Sequence, residues 1–154
     1  MSVEIEILYD RYANNLYRLA LSYLKNTADA EDAVQAVFVK LIEGKAVIFP
    51  GKERALLTKI TVNQCKDILR RNKNRQEEPL DESIPFSDSK DRDVFIAVMT
   101  LPEKYRIPVF LHYYEGYRFQ EIAKLLRITT SAVSMRIHRA KNLLKSQLEV
   151  DSHV

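Results

Sequence analysis

Apolar residues in the first half of the chain recur at intervals of three and four. Ile5, Leu8, Tyr9, Tyr12, Leu16, Leu19, Ala20, Tyr23 and Leu24 give the period of a helix with one buried face. Asn26-Thr27 ends that run, and Thr27 is expected to cap a second helix. The first turn of this helix carries Asp29, Glu31 and Asp32, acids that suit the positive end of a helix dipole. Val34, Val37, Phe38 and Leu41 continue it to a stop at Gly44. After a loop holding Phe49-Pro50-Gly51, a third helix is expected from Glu53 to Lys73, burying Leu56, Leu57, Ile60, Cys65, Ile68 and Leu69. Three such helices make a small bundle.

The period then disappears. Residues 76–93, QEEPLDESIPFSDSKDRD, hold two Pro, three Ser and seven acids and read as a linker. Leu80, Ile84 and Phe86 interrupt its polarity, so it either floats free or lies against a surface. Fully stretched, such a connector reaches at most about 60 Å. Helical spacing resumes in a short segment, Val94 to Met99, which ends at Leu101-Pro102, where Pro starts the next helix. That helix runs from Glu103 to Tyr114 with a bend expected at Pro108, and Gly116 closes it.

The final segment carries the sharpest pattern. Phe119, Ile122, Ala123, Leu125 and Leu126 form the apolar face of a short helix, and Arg127-Ile128-Thr129 makes a tight turn. Thr129 is placed to cap a longer helix that buries Val133, Ile137, Ala140 and Leu144. Small Ala123 lets the two helices approach closely. Short helix, three-residue turn and long helix is the helix-turn-helix geometry that sends the second helix into a DNA major groove. Ser131, Ser134, Met135, His138, Arg139 and Lys141 stay on its outer face. Arg139 and Lys141 are candidates for phosphate or guanine contacts, and Ser134, Met135 and His138 for reading base edges. His138 has a second reading, packing against the short helix, and Arg136 a second reading as an ion-pair partner. A solvated helical hairpin is the plainer alternative to the whole motif.

Composition supports an all-α fold: three Gly, no Trp, and many Leu, Ile, Ala, Lys and Glu. Net charge changes the picture more. Residues 1–75 carry +4, residues 76–93 carry −5 and residues 94–154 carry +4, so two basic modules flank an acidic connector. The lone Cys65 excludes a disulfide framework and a Cys zinc cluster, and reads as a buried small hydrophobe. No apolar run approaches the length of a membrane span, and no secretory leader pattern opens the chain, so a cytoplasmic protein is expected. Paired carboxylates, metal-ligand spacing, nucleophile motifs and Gly-rich phosphate loops are missing from the sequence, so neither an enzyme nor a cofactor is expected.

Leu101-Pro102-Glu103-Lys104-Tyr105-Arg106, Glu115-Gly116-Tyr117, Glu121-Ile122-Ala123 and the Val133, Arg136, Ile137, Arg139-Ala140 pattern resemble conserved domain four of the sigma-70 family. The run Asp29 to Phe38, DAEDAVQAVF, resembles its domain two. Both in order, with a short acidic linker and no domain three, resemble a sigma factor of the extracytoplasmic-function type. The resemblance implies domain two over 1–75, a linker over 76–93 and domain four over 94–154. It implies that Asp32 and Gln35 bind core RNA polymerase at the β′ clamp helices, where an exposed acid and amide supply orientation and specificity. A second polymerase contact, at the β flap, is implied as well.

The third helix, with Ile60, Asn63, Asp67 and Arg70, resembles the segment that reads the minus-ten promoter element. Lys66, Arg70, Arg71, Lys73 and Arg75 suit a single-stranded backbone, and Asn63 can hydrogen-bond an unstacked base. The loop from Phe49 to Arg54 matches the family loop that cradles a flipped base. Phe49 either stacks there or plugs the bundle core. Domain four would then read the minus-thirty-five element through Ser131, Ser134, Met135, His138, Arg139 and Lys141. The chain departs from the family pattern at Ala36, where an acid is common, and at Leu56, where Trp is common and where Leu packs but cannot stack on a base. The resemblance also implies an anti-sigma factor as partner, one that can hold the protein at the membrane. A stand-alone helix-turn-helix regulator that never meets polymerase is the rival, and it has no need of Asn63 or of Asp32 and Gln35.

Overall fold

The computed structural model describes the backbone over residues 3–72 and 89–152, and side chains over 4–72 and 91–147. Among the described residues every regular element is a helix: α1 (Val3–Leu24), α2 (Thr27–Ile42), α3 (Glu53–Arg71), α4 (Ser89–Met99), α5 (Glu103–Tyr113), α6 (Phe119–Leu126) and α7 (Thr130–Ser152). The chain divides into two compact units, Met1–Asp81 and Glu82–Val154.

In the first unit α1, α2 and α3 pack pairwise on one another. Leu16, Leu19, Ala20, Leu21 and Leu24 of α1 meet Ala30, Ala33, Val34, Val37 and Phe38 of α2 and Leu57, Val62 and Cys65 of α3 in the core. Each large aliphatic side chain buried here contributes about 1.5–3 kcal/mol. The N-terminal turns of α1 are less covered than their period predicts, with Ile5, Leu8 and Tyr12 only half-buried. At 22 residues α1 is longer than the 16-residue α2, and its N-terminal end finds fewer neighbours. Tyr9 approaches Phe38 edge-on with centroids 5.0 Å apart.

Asn26, not Thr27, caps α2. Its side-chain oxygen accepts the Asp29 N–H at 2.9 Å from an extended backbone, and Thr27 becomes the first helical residue. Both types can cap, and Asn is the stronger. Gly44 ends α2 as expected: its φ of 73° lets the Gly44 N–H reach Leu41 O at 3.2 Å and the Lys45 N–H reach Lys40 O at 2.9 Å, a Schellman motif. On α3 the buried face is turned from the expected one. Thr58, Thr61 and Gln64 are buried, whereas Leu56, Ile60, Ile68 and Leu69 are half-exposed. Two of these polar groups are satisfied inside the unit: the Thr61 hydroxyl donates to Leu57 O at 2.8 Å, and Gln64 Oε1 accepts from Lys40 Nζ at 2.7 Å.

In the second unit α4 begins at Ser89 instead of Val94. Its added first turn is polar and holds Asp91, so it carries no apolar period to betray it. Pro102 stands at the N-cap of α5, one residue before the helix proper, and Pro108 lies buried within it. Phe95, Phe110 and Tyr114 form an aromatic cluster in which Phe110 and Tyr114 stack at 5.2 Å. Burial, with a smaller contribution from the Asp91 charge, pushes the Tyr114 phenol up to about 12. The buried Arg106 donates from Nη1 to Leu101 O at 2.9 Å and so ties the α4–α5 turn. Of the linker expected over 76–93, residues 89–93 belong to α4, and residues 76–88, including Leu80, Ile84 and Phe86, lie outside the described residues.

Candidate nucleic-acid interfaces

The α6–α7 pair is built as its sequence predicts, except that Leu144, expected in the core, is half-exposed. Ile122 and Ala123 of α6 are buried against Val133, Ile137 and Ala140 of α7, and only Arg127, Ile128 and Thr129 separate the helices. Glu121 reaches back to accept the Arg118 N–H at 3.0 Å, fixing the start of α6. Arg127 takes the left-handed conformation, φ 57° and ψ 45°, and the Ile128 N–H closes the turn on Ala123 O at 3.1 Å. The Thr129 hydroxyl accepts the Ala132 N–H at 3.0 Å, which caps α7.

With Val133, Ile137 and Ala140 fixed inward, the 3.6-residue period turns Ser131, Ser134, Met135, His138, Arg139 and Lys141 outward, and all six are exposed. His138 therefore does not pack against α6. Arg136 is half-buried. Two cations of this face touch α5. Lys141 Nζ lies 5.4 Å from the Tyr113 ring centroid. Arg139 shares a side-chain hydrogen bond with Tyr105, and this, with Lys104 beside it, holds the Tyr105 phenol below its usual range. Neither contact was foreseen, because the partners are far apart in sequence and no periodicity joins them.

In the first unit Asn63, Arg70 and Arg71 are exposed along α3, and Lys66 is half-buried between them. Asn63, Lys66 and Arg70 share one face by their three- and four-residue spacing. Arg70 is ion-paired with Asp67 one turn earlier. Lys73 lies outside the described residues. Phe49 is 59% exposed and so is not a core plug. Its loop is tied at both ends: the Lys52 N–H bonds Phe49 O at 3.1 Å, and the Gly51 N–H donates to Glu53 Oε1 at 2.9 Å. That Gly51 bond holds the Glu53 carboxyl below the usual range.

Asp32 and Gln35 are exposed on α2 one turn apart, on the side opposite Ala33 and Val37. Gln35, Glu31 and Val34 line a cleft of about 310 Å³ with Tyr9, Asn14 and Tyr17 of α1. Ala36 is half-buried and Leu56 likewise. Among the described residues no group of His, Cys, Asp and Glu is arranged to hold a metal ion, and no helix is long and apolar enough to cross a membrane.

Comparison with known proteins agrees with this division. The family model for Sigma-70 region 2 matches residues 8–75, and that for Sigma-70, region 4 matches residues 97–144. The chain is 33% identical over 144 residues to RNA polymerase sigma factor SigV of Bacillus subtilis, spanning 89% of this chain and 86% of the relative. It is 30% identical over 140 residues to ECF RNA polymerase sigma factor SigM of Mycobacterium tuberculosis, spanning 87% and 71%. Its fold matches the sigma factor RpoE of Bartonella quintana, solved with the anti-sigma factor NepR, at a TM-score of 0.80 and 19% identity, over 97% of this chain and 99% of that one. A three-helix unit with an exposed cationic helix, a helix-turn-helix unit after it in sequence, and these relatives over nearly the whole length show that the chain belongs to the sigma-70 family, as a sigma factor of its extracytoplasmic-function group.

Proposed function

We propose that this sigma factor attaches to core RNA polymerase through α2 and grips promoter DNA at two points. Residues 1–75 form the first module. In it Asp32 and Gln35 meet the β′ clamp helices, while Asn63, Lys66, Arg70, Arg71 and Lys73 hold the melted minus-ten strand and Phe49 stacks on a base. Residues 94–154 form the second, with Ser131, Ser134, Met135, His138, Arg139 and Lys141 on the minus-thirty-five duplex and a further contact to the β flap. The acidic stretch 76–93 tethers them. Tethering makes the second contact effectively intramolecular, so neither needs to be strong alone.

One observation carries this reading: α7 is locked by Val133, Ile137 and Ala140 while Ser131, Ser134, Met135, His138, Arg139 and Lys141, mostly polar and in part cationic, stay exposed on its outer face. A rigid scaffold holding such a face is what major-groove reading requires. The work is binding and deformation of DNA, with no catalytic step and no cofactor. The exposed Asp32 and Gln35 favour a polymerase-bound factor over a regulator that acts alone. An anti-sigma factor is the third partner, because a neighbour of the same fold was solved with one. The protein works in the cytoplasm, free or held at the membrane by that partner.

Co-purification with core polymerase tests the attachment. The unaltered chain is expected to co-elute with core, and Asp32→Lys to lose that association while keeping its helicity, since Asp32 is exposed. Equal retention of Asp32→Lys would remove α2 from the interface.

A further inference from the structure

The exposed cations of α7 are not left to wander in solvent. Helix α5 packs along α7, and it places one tyrosine beside each of two cations. The Tyr105 oxygen accepts a hydrogen bond from the Arg139 guanidinium. Near the other end of α5, the Tyr113 ring lies beneath Lys141 Nζ at 5.4 Å, within cation–π range. The ring is itself braced edge-on by His112 at 4.8 Å, and His112 Nδ1 is 2.8 Å from Tyr117 O. These tyrosines are not what holds α5 in place: Ile107, Val109, Phe110 and Leu111, all at most 2% exposed, do that.

Long Arg and Lys side chains lose rotamer freedom when they meet DNA, and ordering one rotamer-rich side chain weakens binding about two- to twelve-fold. A partner that orders the side chain beforehand recovers part of that loss. Arg139 has five N–H donors, so one spent on Tyr105 leaves the paired donors that grip a guanine edge or a phosphate. Lys141 over a ring face still has N–H donors to offer a phosphate or a base edge.

We propose that α5 is the positioning element of the DNA-reading helix, with Tyr105 pre-setting Arg139 and Tyr113 pre-setting Lys141 for the promoter duplex. The two tyrosines act through the cations and set promoter affinity from outside α7. The proposal rests on the reading of α7 as the duplex-reading helix.

The test uses holoenzyme, made from core polymerase and the full chain, on promoter duplex selected from a random library by the unaltered holoenzyme. Tyr105→Phe, which removes only the hydroxyl, is expected to weaken promoter binding about two- to twelve-fold without lowering the melting temperature. In an Arg139→Ala background the same change is expected to do nothing. Tyr113→Leu is expected to weaken binding about two- to five-fold and Tyr113→Phe, which keeps the ring face, to restore it. A Tyr105→Phe effect that is absent, or that persists undiminished in the Arg139→Ala background, overturns the positioning role. If Arg139→Ala and Lys141→Ala both leave promoter binding unchanged, the reading of α7 itself falls, and the positioning role with it.

Discussion

Thr129→Ala removes the side-chain cap at the start of α7. The Thr129 hydroxyl accepts the Ala132 N–H at 3.0 Å, one of the first-turn donors that has no partner within α7. Thr129 is exposed, so water replaces the lost acceptor, and the cost is that of an ordinary cap, about 1 kcal/mol. For a unit the size of Glu82–Val154, 1 kcal/mol lowers the melting temperature by about 4–8 °C. The same turn bears Ser131 and leads into Ser134, so fraying there also weakens promoter binding. Calorimetry on the full chain measures the shift in the transition of this unit. Thr129→Ser keeps the oxygen and is expected to stay close to the unaltered protein. An unchanged melting temperature for Thr129→Ala, or a Thr129→Ser variant that falls equally far, would refute the capping argument.

Arg127→Gly is expected to raise the melting temperature. The left-handed backbone there costs a residue with a Cβ about 1–2 kcal/mol, partly offset by glycine's freedom in the unfolded chain; a lower melting temperature would show that the Arg127 side chain contributes more than its strain costs. Phe49→Ala should leave stability nearly unchanged because the ring is exposed, yet weaken open-complex formation by about 1–3 kcal/mol if it stacks on a base. Normal opening measured with a fluorescent base in the minus-ten strand would return Phe49 to the passive surface. Arg71→Ala should flatten the dependence of single-strand binding on salt by about 0.7 in the log–log slope, the signature of one lost phosphate contact. An unchanged slope would remove Arg71 from the DNA face.

The helix-turn-helix was legible because each of its parts leaves a local trace. Ile122 and Ala123, then Val133, Ile137 and Ala140, write the helical period directly, and Thr129 stands at the one position where a cap is needed. Outward positions follow from inward ones, so the exposed row from Ser131 to Lys141 was legible too. What stayed hidden depends on partners distant in sequence. Gln64 is a core residue only because Lys40 of another helix meets it, and nothing near Gln64 announces that. Thr58 and Thr61 likewise look like surface positions to a reading that counts apolar residues. The choice between Asn26 and Thr27 as cap was a contest between neighbours that both qualify. The first turn of α4 was missed because a polar turn has no apolar period. The tyrosines under Arg139 and Lys141 belong to the same class as Gln64: a pairing made by the packing of α5 on α7.

The most direct test of the account is start-site-specific transcription in a purified system. Core polymerase is given promoter DNA selected from a random library, with or without this chain, and transcripts are mapped. Transcripts from a single start, present only when the chain is added and lost when the minus-ten or the minus-thirty-five segment is scrambled, are the predicted result. Initiation no greater than with core polymerase alone, or initiation indifferent to both segments, would contradict the two-point grip on promoter DNA.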